Sequence, residues 1–182
     1  MNKKSNNKQK IIIISDIWGK QNSDWISHYT SIVEKHFDVQ LYDSCDLAEI
    51  DFFSEIENKH HQFINGGIEK AVASLLQKET DIVNILAFSI GGTITWKAAL
   101  FGLKIQNLFA VSSTRLRYET QKLAGNIELF YGALDAYKPD ENWFHLMELV
   151  ENIYENEEHA FYRKKEIAEK VCEMIIRKVN QN

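Results

Sequence analysis

The sequence predicts an α/β protein with a parallel sheet and helices on both of its faces, and three observations carry that expectation. Short apolar runs alternate with longer amphipathic segments along the chain. The clearest run, Ile11-Ile12-Ile13-Ile14, is β-branched and continuous, as a buried strand requires. No repeat or linker divides the 182 residues, so 10–182 read as one domain after a polar, basic stretch at 1–9 that reads as a disordered tail.

Taken in order, residues 11–15 form the first expected strand. A helix is expected over 25–36, with Ser23 or Asp24 as its N-cap. The second strand covers 39–43, and helices follow at 47–58 and 67–78. The third strand, 82–88, is followed by a helix over 93–101 that Gly102 can end. A fourth strand spans 105–111 and a short helix 116–123. The fifth strand covers 127–131, followed by a helix over 141–150. A weak sixth strand is expected at 153–156. The last helix, 163–179, carries Ile167, Val171, Met174 and Ile175 at helical spacing.

Composition excludes several classes. A net charge of −5 argues against a nucleic-acid binder, which needs a basic face. No apolar run reaches the length of a membrane span, and the first residues lack a signal peptide's apolar core. Cys45 and Cys172 are isolated and form neither CxxC nor a metal spacing. A reduced, cytoplasmic location is the expectation. His60 and His61 lie near Glu55 and Glu57, but no third ligand has metal-site spacing, so neither metal nor cofactor is expected.

In open parallel sheets, ligands sit beyond the carboxyl ends of the strands. Asn84-Ile85-Leu86-Ala87-Phe88-Ser89-Ile90-Gly91-Gly92 is the most informative of those ends. A serine on a sharp strand-to-helix turn needs small residues two positions away on either side, here Ala87 and Gly91. The N–H of Ile90, at the helix start, would face a developing oxyanion. An ordinary strand–turn–helix with an incidental serine is the alternative. Asp135 follows the fifth strand, where it can orient an imidazole or simply cap a turn. His159 follows the sixth strand, whereas His145 falls within an expected helix. The chain order Ser89…Asp135…His159 places one residue after each of three strands. In that arrangement His159 takes the Ser89 proton, and Asp135 holds the imidazole in the useful tautomer.

On these residues the chain resembles a small α/β-hydrolase of the compact single-domain serine-hydrolase type, over roughly residues 10–182. Ala87-Phe88-Ser89-Ile90-Gly91-Gly92 matches that family's small-x-Ser-x-Gly-Gly. Gly132-Ala133-Leu134-Asp135, followed by Pro139, matches its acid loop. Glu158-His159-Ala160-Phe161 sits where its histidine is found. Ser15-Asp16-Ile17-Trp18-Gly19 sits where many members have His-Gly-x-x-Gly. The resemblance implies a three-layer α/β/α sandwich of about six parallel strands in the order 2-1-3-4-5-6. It implies Ile17 as the second oxyanion-hole donor, and hydrolysis of a small-molecule carboxylic ester or thioester through an acyl-enzyme on Ser89.

Only about fifteen residues separate the fourth and fifth strands, too few for the cap domain common at that point in the family. A shallow cleft is therefore expected, walled by Trp18, Leu116, Tyr137 and Phe161, with plain core packing as the alternative for each. Arg115 and Arg117 lie on the loop after the fourth strand. They can bind an anionic substrate, stay solvated, or pair with Asp16 and Glu119. Asp16 departs from the family pattern by setting a carboxylate beside the expected oxyanion hole. It must point away or be paired, with Lys20, Arg115 and Arg117 as the candidate partners. That departure favours the alternative function, a non-catalytic or weakly active interaction protein on the same fold.

Overall fold

The computed structural model describes residues 8–51 and 53–181. The strands are β1 (Lys10–Ile14), β2 (Asp38–Tyr42), β3 (Val83–Phe88), β4 (Ile105–Val111), β5 (Asn126–Gly132) and β6 (Glu151–Tyr154). They form one parallel sheet in the order β2-β1-β3-β4-β5-β6, as expected. The chain steps to one side after β1 and to the other after β2. That reversal opens a crevice above the adjacent ends of β1 and β3, where this topology places ligands.

The helices are α1 (Ser27–Val33), α2 (Ser44–Ala48), α3 (Ile56–Gln62), α4 (Ile68–Lys78), α5 (Ile90–Leu100), α6 (Glu141–Met147) and α7 (Lys165–Asn180). Strand alternation sends each apolar run into two cores. Ile12, Ile14, Ile85, Ala87, Leu108 and Ala110 pack with α2, α4, α5 and α6. Ile11, Ile13, Leu86, Phe88, Phe109 and Val111 pack with α1 and α7. Ile167, Val171, Ile175 and Val179 of α7 are buried on that second face. Each contributes about 1.5–3 kcal/mol relative to exposure.

Several boundaries differ from expectation, each for a local reason. Residues 1–7 of the expected tail lie outside the described residues. Gln9 already belongs to the ordered edge, where its carbonyl accepts from Asp38 N. The helix expected over 25–36 opens with a 3₁₀ turn (Asp24–Ile26) and becomes α-helical only at Ser27. Neither Ser23 nor Asp24 caps it through a side chain. The helix expected over 47–58 is two helices. Asp43 starts α2 early by accepting from Cys45 N and Asp46 N, and Glu49 ends it in the left-handed region at φ 56°. α3 then runs through a π-type turn (Phe63–Gly67), where Gly66 takes φ 106°, into α4. The segment 116–123 makes a single 3₁₀ turn (Leu116–Tyr118). α6 stops at Met147 because Glu148 turns left-handed at φ 58°, and β6 accordingly begins two residues before the expected position.

Candidate active site

The site starts from a strained backbone. Ser89 has φ 50° and ψ −117°, a conformation that is costly for a residue with a Cβ, and it is 3 % exposed. It lies between the last residue of β3 and the first of α5. Tight packing forces the small neighbours. A Cβ on Gly91 would lie 2.6 Å from the Ser15 carbonyl oxygen, and one on Gly92 would lie 1.7 Å from Ser113 Oγ. Ala87 is fully buried. The sharp turn aims the hydroxyl of Ser89 into the crevice.

Ser89 Oγ lies 3.1 Å from His159 Nε2. His159 Nδ1 lies 2.9 Å from Asp135 Oδ2. With Nδ1–H donating to the carboxylate, Nε2 is the acceptor facing the hydroxyl. His145, the other histidine after Asp135, is exposed on α6. The Asp135 loop and the His159 turn are held as one unit. Ala133 N donates to Tyr154 O at 2.9 Å, and Leu134 N donates to Glu157 O at 2.9 Å. Gly132 is needed there, since a Cβ would meet Glu157 O at 2.2 Å. Tyr137 N donates to Asp135 Oδ1 at 2.8 Å, so both carboxylate oxygens are occupied. Ser112 Oγ donates to the His159 carbonyl at 2.7 Å and anchors the turn. Ser112 was not among the residues anticipated above. Its only sequence signal is its position at the end of β4.

Ile17 and Ile90 both border the cavity above Ser89. Among the described residues no backbone acceptor takes either N–H. Asp16 does not oppose that pair with a free charge. It is fully buried, and Oδ2 accepts from Arg163 Nη2 at 2.7 Å and from Tyr162 Oη at 2.8 Å. Oδ1 accepts from Trp18 N at 3.0 Å. None of the expected partners serves. Lys20 pairs with Asp46, and Arg115 and Arg117 lie across the cavity. Burial lowers the affinity of the Arg163 guanidinium for its proton, but the hydrogen bond and charge of Asp16 outweigh it and hold the pKa above the usual value. Burial first, then the charge of Asp16, pushes the Tyr162 hydroxyl well above the phenol range, so it stays a donor. Lys59, on α3 and buried, donates to the Trp18 carbonyl at 3.2 Å and fastens the same loop from the other side.

The crevice is a cavity of about 600 Å³. Trp18, Arg115, Arg117 and Tyr137 line it as anticipated. Leu116 and Phe161 do not. Both are buried, Leu116 in the core beneath α5 and Phe161 against Tyr154 in the other core. An apolar residue on a loop carries no signal for which side of that loop it covers. The expectation of a shallow cleft is also corrected. The missing wall comes from α3 and the turn after it, through Ile56, Phe63 and Ile64, with Glu57 and His60 beside them. That segment lies before the serine in the chain, not after it. Among the described residues no group of three His, Cys, Asp or Glu side chains is placed to hold a metal. No helix among them is long and apolar enough to cross a membrane.

No family model matches the sequence, and no curated protein matches it. Solved structures do resemble it. Est1E from Butyrivibrio proteoclasticus has a TM-score of 0.62 at 12% identity, over 97% of this chain and 90% of that one. Alpha/beta hydrolase domain-containing protein 10 from mouse has a TM-score of 0.67 at 11% identity, over 100% of this chain and 93% of that one. An alpha/beta hydrolase enzyme from a sediment metagenome of the Mar Chica lagoon, Morocco, has a TM-score of 0.65 at 15% identity, over 96% and 91%. At such identities the likeness is one of fold.

Proposed function

From the alpha/beta-hydrolase fold of this chain we propose that it is a serine hydrolase that cleaves a small carboxylic ester or thioester. The observation that carries the proposal is the continuous line Ser89 Oγ–His159 Nε2 and His159 Nδ1–Asp135 Oδ2, at 3.1 and 2.9 Å, on a serine with φ 50°. It is supported by structural neighbours named as an alpha/beta hydrolase enzyme and an alpha/beta hydrolase domain-containing protein.

In this mechanism Ser89 Oγ attacks the acyl carbon while its proton passes to His159 Nε2. Asp135 stabilises the imidazolium and keeps Nδ1 protonated. The N–H groups of Ile17 and Ile90 receive the oxyanion. Collapse expels the alcohol or thiol, which takes the proton from His159. Water then attacks the acyl-enzyme with His159 as base, releasing the acid and restoring Ser89. The pairing of Asp16 with Arg163 removes the feature that favoured a non-catalytic protein.

A fluorophosphonate probe tests this. Wild-type protein at pH 8 should be labelled on Ser89 alone, His159→Ala should lose labelling, and Ser89→Ala should be blank. Turnover of an activated ester should fall by several orders of magnitude in Ser89→Ala. An unlabelled wild type that melts cooperatively rules the proposal out.

A further inference from the structure

We propose that the cavity above Ser89 takes an acyl substrate bearing an anionic group, carboxylate or phosphate, held by Arg115 and Arg117. The inference rests on the ester-hydrolase function for the word substrate, but its binding site stands on separate observations.

The chain has four arginines, and two of them line this one cavity. Arg163 pairs with Asp16. Among the described residues Arg115 and Arg117 have no carboxylate partner, although the chain is acidic overall. The carboxylates that could have used them are taken, Asp16 by Arg163 and Glu119 by Lys97 at 3.0 Å. A purely structural role is therefore poorly supplied.

Both guanidiniums are instead held in place by neutral groups. Both lie near the ring of Tyr118, at 5.2 Å for Arg115 and 4.5 Å for Arg117. Arg117 Nη1 donates to the Tyr137 carbonyl at 3.1 Å, and Nη2 donates to Tyr118 Oη at 3.0 Å. A guanidinium has five N–H donors, so most of Arg117's remain for a ligand, and Arg115 has no hydrogen-bond acceptor among the described residues. Arg115 has φ 63°, in the left-handed region, where it leads into the 3₁₀ turn Leu116–Tyr118.

The distance suits a short acyl chain. Arg117 lies 5.6 Å from the Tyr137 ring centre, and that ring lies 5.0 Å edge-to-face from His159. An anion on Arg117 is thus two ring contacts from the imidazole that faces Ser89. Among the described residues that line the cavity, the one carboxylate, Glu57, sits on the α3 wall beside His60. A guanidinium fork binds carboxylate or phosphate bidentately.

The test uses full-length Ser89→Ala protein, so that binding is read without turnover. Calorimetry compares monomethyl adipate, hexyl phosphate and neutral methyl hexanoate. At least one anion should bind about tenfold or more tightly than the neutral ester. That preference should shrink at least severalfold in Arg115→Gln/Arg117→Gln, while the neutral ester, which reports the intact cavity, binds as before. If the double variant does not melt cooperatively, Arg115→Gln alone serves, because its side chain makes no hydrogen bond among the described residues. The tighter anion identifies the chemistry, carboxylate or phosphate. Equal affinity for all three ligands, no binding of either anion, or a preference unchanged in the variant overturns the proposal. Fluorophosphonate labelling is a separate readout. Lost labelling with a retained anion preference rejects the hydrolase and leaves the subsite standing, and the converse rejects only the subsite.

Discussion

Asp16 shows how one residue's meaning depends on its partner. A buried carboxylate beside the two proposed oxyanion donors would repel the charge that builds on the substrate. Paired with Arg163 it becomes a brace between the loop that carries Ile17 and the turn that carries His159. Arg163→Met should therefore do two things. It should destabilise the fold by about 2 kcal/mol, below the usual cost of stranding a buried charge because the guanidinium is about a third exposed. It should also reduce kcat/KM for an activated ester by about tenfold or more, as Asp16's charge is freed next to the oxyanion. Asp16→Asn added to Arg163→Met should recover part of both losses. Thermal melts and steady-state rates on wild type, Arg163→Met and the double variant decide it. A rate that stays at the wild-type value in Arg163→Met makes the pair purely structural.

At the scale of elements, the two ends of the sheet do different work. At the carboxyl ends, α5 approaches β4 so closely that Gly92 and Ser113 share one space. Gly92→Ala should cost about 1–3 kcal/mol through overpacking and disturb fluorophosphonate labelling, because α5 begins at the labelled serine's neighbour. Ser113→Gly in the same chain should restore much of both. At the opposite ends, three asparagines form a ladder across β3, β4 and β5. Asn107 Nδ2 donates to Asn84 Oδ1 at 2.7 Å, and Asn126 Nδ2 donates to Asn107 Oδ1 at 3.1 Å. Asn107→Ala strands the buried amide oxygen of Asn84 and should cost about 1–3 kcal/mol in a denaturant titration. Labelling of the folded variant should be unchanged. A lost label would mean that the strand ends are coupled along the sheet.

For the whole molecule, the position of the cavity wall decides what the protein can accept. No cap follows β4, but α3 and its π-type turn close the crevice from the segment between β2 and β3. A cavity of about 600 Å³ lies within the range of small-molecule sites. Turnover of p-nitrophenyl esters should thus rise through the short acyl chains, since each buried methylene contributes about 0.8 kcal/mol, and level off at medium length. Ile64→Trp, which fills the wall, should move the optimum to shorter chains. A rate that climbs steadily to very long chains in both proteins would show that the acyl group does not lie in this cavity.

The sequence by itself determined the strands, the layer order they imply and the convergence of Ser89, Asp135 and His159. Those features are written locally. A strand buried on both faces must be continuously apolar, and a sharp turn between packed elements needs Ala87, Gly91 and Gly92. Only the tertiary structure decided the partner of Asp16, found 147 positions away in Arg163, and the burial of Leu116 and Phe161. It alone split the helix expected over 47–58 in two and set α3 and the turn after it as a wall of the site. Hydrophobic patterning records that a side chain leaves water, which is a property of the residue and its neighbours. Which surface it leaves water for, and which charge it meets there, depends on how distant loops close over the sheet edge.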